Sequence, residues 1–271
     1  MSQIESIHSL DDPRLNPYRA LKERELAREG GRFIAEGEQV VRRLNDSALG
    51  MESVLLARRR ADEIAPIVRP GVPVYVVPDE LVQHILGFRF HSGVMAVGIR
   101  PSRKTLDDVL GHDASSIRLV VCPETANTEN LGGMVRIAAA FGVDAMILGE
   151  RSCDPFFRQS VRVSMGTVFR LPIIESQNLL RDMRRLRTEW NVELIATVVD
   201  DPIAQSLSEA QGSARWALLF GNEAQGLSRE MLQACDRRIT IPMQLGTDSL
   251  NVMVAAGIFL FEYTRSSDAA V

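Results

Sequence analysis

Apolar residues along this chain recur in short runs, separated by polar stretches with helical period. In the first hundred residues, positions 32–35, 53–57, 72–77 and 94–99 read as strands. Asn16-Pro17 opens a polar helix expected to run to about Glu29, where Gly30-Gly31 stops it. Further helices are expected through Gln39, Val40, Val41 and Leu44, and over 60–68 and 80–86. Pro101-Ser102-Arg103-Lys104 reads as a linker, which predicts one domain over 1–104 and a second over 105–271.

Beyond the linker the alternation is clearer. Strands are expected at 118–122, 145–148, 168–173, 192–199, 216–220 and 238–241. Helices are expected at 131–141, around 154–164, at 178–190, 228–234 and 249–263. Strands that alternate with helices predict an α/β fold, a mainly parallel sheet covered on both faces. Ser249 is the expected N-cap of the last helix, which is so uniformly apolar that burial on every side is expected.

Composition narrows the class. With 45% hydrophobic and 24% charged residues, the chain is globular rather than disordered or fibrous. No apolar run reaches the ~18 residues of a membrane span. The opening MSQIESIHSLDDP carries acids and no apolar core, which argues against a signal or transit peptide and for the cytoplasm. Cys122, Cys153 and Cys235 are too scattered for a disulfide framework or a metal cluster. The net charge is −4, but residues 1–105 carry +2 and the remainder −6. The basic residues include only two lysines, Lys22 and Lys104, and arginine is the better phosphate fork.

Three segments could carry chemistry. Residues 123–133 (PETANTENLGG) join a buried strand to a helix, where open α/β sheets bind ligands. Asn127, Asn130, Gly132 and Gly133 crowd there, and Arg136 follows on the helix. Residues 218–228 (LLFGNEAQGLS) end a strand in Gly221-Asn222-Glu223. In the third, residues 241–263, Asn251 is a polar side chain beside an apolar helix and needs a partner or a purpose. No G-x-G-x-x-G fingerprint is present, which disfavours a nucleotide-dependent oxidoreductase.

Together these segments resemble the SpoU (TrmH) family of S-adenosylmethionine-dependent RNA 2′-O-ribose methyltransferases. The first motif reads Asn127-Thr-Glu-Asn130-Leu-Gly132-Gly-Met-Val-Arg136-Ile-Ala-Ala-Ala-Phe141-Gly142. The second is carried by Phe220-Gly221-Asn222-Glu223 with Gly226-Leu227-Ser228. The third is Ile241-Pro242-Met243 with Ser249-Leu250-Asn251-Val252 and Ala255. A supporting stretch is Arg162-Val-Ser164-Met165-Gly166, and the resemblance spans about 115–263. At the front, Phe33-Ile-Ala-Glu36-Gly37 is similar to the F-x-x-E-G signature of the family's L30e-like substrate-binding extension.

The resemblance implies an L30e-like α/β domain before a SPOUT-type α/β domain closed by a deep trefoil knot. It implies a homodimer with a shared active site, no metal, and S-adenosylmethionine held by Gly221, Ile241 and Leu250, with Asn222 and Met243. Arg136 is the residue that the motif marks as catalytic, and Asn130, Glu223, Ser249 and Asn251 would orient the ribose or the loops. An arginine does not give up its proton in proteins, so Arg136 is read as a phosphate binder that stabilises alkoxide charge. The proton would pass to a phosphate oxygen, to water or to Glu223.

RNA phosphates would meet Arg19, Lys22, Arg24, Arg28, Arg32 and Arg162, together with Arg42 and Arg43. Ribosomal RNA suits such an extension better than tRNA. Two departures stand in the first motif: Thr128-Glu129 replaces a common Pro-Gly, and Ile137 replaces a common Thr. Neither removes a group assigned to chemistry. The alternative from another class is a non-catalytic RNA-binding or ribosome-assembly factor on the same fold.

Overall fold

The computed structural model describes residues 3–19, 31–81, 92–199, 201–210, 212–245 and 248–268. The chain forms two compact units. One comprises Met1–Ser102 and Pro155–Arg170, the other Arg103–Asp154 and Leu171–Val271. The first unit is therefore discontinuous in sequence.

The first unit holds strands β1 (Ile4–Ser6), β2 (Arg32–Glu36), β3 (Met51–Ala57), β4 (Val74–Val77) and β5 (Val94–Ile99). They form one mixed sheet in the order β1-β4-β3-β5-β2. β4 runs parallel to β1 and β3, while β5 runs antiparallel to β3 and β2. The second half of β3 lies deep in the core, with Val54, Leu55, Leu56 and Ala57 all at 0% exposure. Helix α1 (Glu38–Asn45) presents Val40, Val41 and Leu44 to the core, while Glu38 and Arg42 pair one turn apart at 2.8 Å. Tyr18 is buried, and its phenol shares a 2.7 Å hydrogen bond with Ser53 Oγ; burial raises its pKa well above the ordinary tyrosine value.

The expected strands of this unit are present, and β1, three residues long, is additional. The helix expected at 60–68 is broken into turns Arg58–Arg60, Ala61–Ile64 and Ala65–Ile67, because Pro66 cannot donate to a continuing α-helical ladder. Of the polar helix expected from residue 16, Asn16–Arg19 is helical and residues 20–30 lie outside the described residues. The helix expected over 80–86 likewise passes outside them after residue 81.

The second unit begins with β6 (Ile117–Cys122), α2 (Thr128–Ala140) and β7 (Ala145–Leu148). Residues 155–170, with helix α3 (Arg158–Val163), then belong to the first unit. The chain continues with β8 (Ile173–Glu175), α4 (Leu179–Trp190), β9 (Glu193–Val198) and β10 (Gln205–Ser206). It closes with β11 (Arg215–Leu219), α5 (Arg229–Ala234), β12 (Arg237–Thr240) and α6 (Val252–Asp268). Seven strands pair in the order β10-β12-β9-β11-β6-β7-β8, every pair parallel. The chain leaves β6 toward β7 and β8, then returns to build β9, β11 and β12 on the other side. That reversal is the kind of switch point where open α/β sheets bind ligands. Among the described residues no helix is long and apolar enough to cross a membrane.

Three expectations need correction here. The strand expected at 168–173 is a 3-10 turn, Thr167–Phe169, with the strand following at Ile173–Glu175. Gly166, with φ +78°, starts the turn and Pro172 precedes the strand. The last helix starts at Val252, and its cap is Asn251 rather than Ser249: Asn251 Oδ1 accepts from the Met253 amide at 2.8 Å. Nor is α6 buried all round. Ala256, Phe259, Leu260 and Tyr263 face the core, but Val254 (51%), Ile258 (39%) and Phe261 (55%) stand exposed as a stripe.

Candidate active site

The site grows from three loops at the carboxyl ends of β6, β11 and β12. After β6, Asn127 caps α2 by accepting from the amides of Glu129 (2.8 Å) and Asn130 (3.3 Å). That cap sets the phase of the helix and turns Asn130 inward, where it is 7% exposed. One turn on, α2 meets α6 closely. A Cβ on Gly133 would lie 1.9 Å from Met253 Sδ, so any larger residue there would have to displace the Met253 side chain. The approach brings the first turns of the two helices together, and with them Asn130 and Asn251.

A chain of side-chain hydrogen bonds results. Asn251 Nδ2 donates to Asn130 Oδ1 at 3.3 Å, and Asn130 Nδ2 donates to Glu223 Oε1 at 2.9 Å. Asn251 Oδ1 is engaged by the Met253 amide, so each amide has one orientation. A buried amide with both ends satisfied is rigid, because rotating it would forfeit both bonds.

The loop after β11 is closed by paired backbone bonds between Asn222 and Gly226, at 3.0 and 2.8 Å. Asn222 Oδ1 accepts from the amides of Ala224 (2.9 Å) and Gln225 (3.2 Å), and its Nδ2 donates to the Glu124 carbonyl at 3.3 Å. A Cβ on Gly221 would lie 2.4 Å from the Gly226 carbonyl carbon. The glycine is thus required by closure of its own loop, whether or not a ligand comes close. Gly226, with φ +67°, supplies the left-handed turn that such a closure needs.

These loops enclose a cavity of about 280 Å³. Asn130, Glu223, Ser249 and Asn251 line it, as do Gly221, Asn222, Ile241, Met243 and Leu250. Phe220 and Val252, which the motifs contain but to which sequence reasoning gave no role, also line it, as do Phe259 and the end of β9 (Thr197, Val198 and Val199), which it missed. The end of β9 could have been found only by knowing that β9 neighbours β11. Among the described lining residues Glu223 is the one carboxylate. The wall is mostly apolar with a few fixed polar groups, the usual make-up of a small-molecule site, at the small end of the ~300–1,000 Å³ range.

Arg136 does not line the cavity; it is exposed on α2. A larger open basin of about 880 Å³ lies at the opposite, amino-terminal ends of β9 and β11 and holds none of the motif residues. Among the described residues no cluster of His, Cys, Asp and Glu could hold a metal. Nor are the nearby thiols nucleophiles: burial pushes Cys122 up to about 12 and Cys153 up to about 11.

The residues expected to meet RNA have varied surroundings. Arg19 Nη2 is buried without a hydrogen-bond partner among the described residues. Arg32 pairs with Glu52 at 2.6 Å, and Arg42 with Glu38. Arg43 Nη1 donates to the Met165 carbonyl. Arg162 stands on α3. Lys22, Arg24 and Arg28 lie outside the described residues.

Residues 118–261 match the SpoU rRNA Methylase family. An uncharacterized tRNA/rRNA methyltransferase of Mycobacterium bovis is 33% identical over 272 residues, covering 97% of this chain and 92% of the relative. The 23S rRNA (guanosine-2′-O-)-methyltransferase RlmB of Vibrio vulnificus is 30% identical, covering 79% of this chain and 88% of its own. The crystal structure of an AdoMet-bound rRNA methyltransferase from Sinorhizobium meliloti superposes with a TM-score of 0.83 at 27% identity, covering 97% and 98% of the two chains. The motif loops, the parallel sheet that carries them and these likenesses agree: the chain belongs to the SpoU rRNA methylase family.

Proposed function

We propose that this protein transfers a methyl group from S-adenosylmethionine to a ribose 2′-hydroxyl of ribosomal RNA. The observation that carries the reading is the Asn251–Asn130–Glu223 hydrogen-bond chain at a cavity lined by the second and third motifs. Bound there, S-adenosylmethionine supplies an electrophilic methyl group. Gly221, Ile241 and Leu250 hold it through backbone groups and apolar contact, with Asn222 and Met243 beside them. In the trefoil-knot reading, the second and third motifs form the cup that holds the cofactor.

Glu223 stands exposed in the lining, with Oε1 fixed by Asn130, and accepts the proton of the ribose hydroxyl. Asn130 and Asn251 keep that carboxylate aimed, and Ser249 orients the ribose. Arg136 binds the phosphate beside the target ribose and stabilises the developing alkoxide. Because Arg136 does not line the cavity of its own chain, the site is completed in a homodimer, by Arg136 of the partner subunit. The exposed stripe Val254–Ile258–Phe261 on α6 is the surface such a dimer would cover, and Phe261 already packs edge-on against Phe141, the C-cap of α2, the helix that carries Arg136. The ribosomal RNA-modifying relatives support a cytoplasmic setting for this work.

The test is calorimetry with S-adenosylmethionine, followed by transfer of labelled methyl to ribosomal RNA from a strain lacking the gene. Micromolar binding and 2′-O-methyl product are expected. Arg136→Ala should still bind S-adenosylmethionine but lose about 10²–10³ in turnover. RNA binding with no transfer by the unaltered protein would establish the non-catalytic factor instead.

A further inference from the structure

The F-x-x-E-G signature at the front of the chain has partners far away in sequence. Phe33 and Glu36 both lie on β2, and both contact the segment 155–170 within the first unit. The Phe33 ring packs against Phe156 and Phe169, with centroids 5.1 and 5.5 Å apart. Beneath it Gly98 leaves the space: a Cβ there would lie 2.2 Å from the Phe33 ring. Glu36 is 7% exposed and faces two arginines of α3, Arg158 Nη1 at 3.1 Å from Oε2 and Arg162 Nη1 at 3.8 Å from Oε1.

A buried carboxylate is costly to desolvate, and an ion pair often does no better than an apolar isostere in recovering that cost. Stability is thus a weak reason for Glu36. Geometry offers a better one. Arg158 and Arg162 are four residues apart on one helix, so their side chains emerge from one face ~6 Å apart. Glu36 engages Arg158 by a hydrogen bond. It holds Arg162 by charge alone, at a distance too long for a hydrogen bond. Arg162 is 59% exposed and its N–H donors are not consumed by Glu36. Nearby, Arg43 of α1 donates to the Met165 carbonyl just past α3. Arg162, largely exposed and held by Glu36 only at 3.8 Å, presents positive charge on that face.

We infer that Glu36 is a positioning residue that sets Arg158 and Arg162 as a two-arginine receptor for one RNA backbone phosphate. The inference rests on the RNA methyltransferase reading and deepens it. It gives the signature a role: Phe33 docks the 155–170 segment, and Glu36 aims its arginines. Arg158 becomes an RNA contact alongside Arg162.

Simple electrostatics predicts the opposite effect of one substitution, which makes the test sharp. Removing a negative charge near RNA should tighten binding; removing a positioning carboxylate should weaken it. In the full-length protein, with unmethylated ribosomal RNA as probe, Glu36→Gln is expected to raise KM for RNA about tenfold. Turnover at saturating RNA should stay within about twofold, and affinity for S-adenosylmethionine should not change. Arg162→Ala should weaken RNA binding and lower the slope of log K against log salt by about one phosphate's worth. The triple variant Glu36→Gln/Arg158→Ala/Arg162→Ala should bind no worse than Arg158→Ala/Arg162→Ala, because an aiming group has nothing left to aim.

Unchanged or tighter RNA binding by Glu36→Gln overturns the inference. If Glu36→Gln does not fold, as melting and S-adenosylmethionine binding would reveal, Arg162→Ala decides: an unchanged Kd and salt slope overturn it too. Loss of all methyl transfer by the unaltered protein would instead sink the enzymatic reading and is seen separately.

Discussion

The cavity rim and the α3 clamp solve the same problem, fixing the direction of a side chain, with different chemistry. At the rim, Asn130 and Asn251 are neutral amides that aim one carboxylate. In the clamp, the carboxylate Glu36 is the buried part and aims two cations. The difference follows from what each must present. A small cavity proposed to hold a charged cofactor gains from neutral scaffolding, which adds no net charge and responds little to salt. A surface that meets a polyanion needs positive charge, and a buried counter-charge keeps that charge from collapsing onto the wrong neighbour.

The largest disruption of this contrast should come from α6. Phe261→Glu places a charge in the exposed stripe and is expected to give a 30 kDa particle by light scattering. Methyl transfer should then fall about as far as in Arg136→Ala, since both remove the same arginine from the site. A dimer with normal activity would break the shared-site reading. Next comes Asn130→Ala, which frees both Glu223 and Asn251. Turnover should fall about 10–100-fold, and stability by about 1–3 kcal/mol for the lost buried bonds, read by denaturant melts. Retained turnover would show that Glu223 needs no aiming.

Salt should separate the two regions directly. Raising it from about 50 to 200 mM should weaken RNA binding roughly tenfold or more. Affinity for S-adenosylmethionine should change less than about twofold by calorimetry. Equal losses for both would erase the distinction between a neutral rim and a charged clamp. The smallest effect concerns the thiols. Burial favours the protonated form, so the reactive thiolate of Cys153 should grow with rising pH until about 11, and that of Cys122 until about 12. Alkylation followed by mass spectrometry should therefore leave Cys122 and Cys153 largely unmodified at neutral pH in the folded protein and reach both after unfolding.

Much of the second unit was readable because its strands β6, β7, β9 and β11 are short, mostly apolar runs, and polar residues beside such runs stand out. Asn130 and Asn251 were visible for that reason. The capping position was misread by two residues because Ser249 and Asn251 can both cap, and only the observed bond to the Met253 amide chooses between them. An apolar helix cannot by itself declare whether its outer face meets a core or a partner, so the stripe on α6 was read as buried. β1 and β10, at three and two residues, are too short to show a period. Arg136 was singled out by its motif, yet no spacing could tell that it does not line the cavity of its own chain. The pairing of Glu36 with Arg158 spans 122 residues and left no local trace.

That span matters before the protein ever meets RNA. A nascent chain that has just completed residue 102 has made β2 but not the helix that covers Glu36 or the rings that cover Phe33. At roughly 5–20 residues per second, α3 follows on the order of 3–11 seconds later, after β6, α2 and β7 have already emerged. The first unit to be synthesised is thus the one that waits, with a bare carboxylate and an uncovered aromatic ring. Its maturation is tied to the progress of the second.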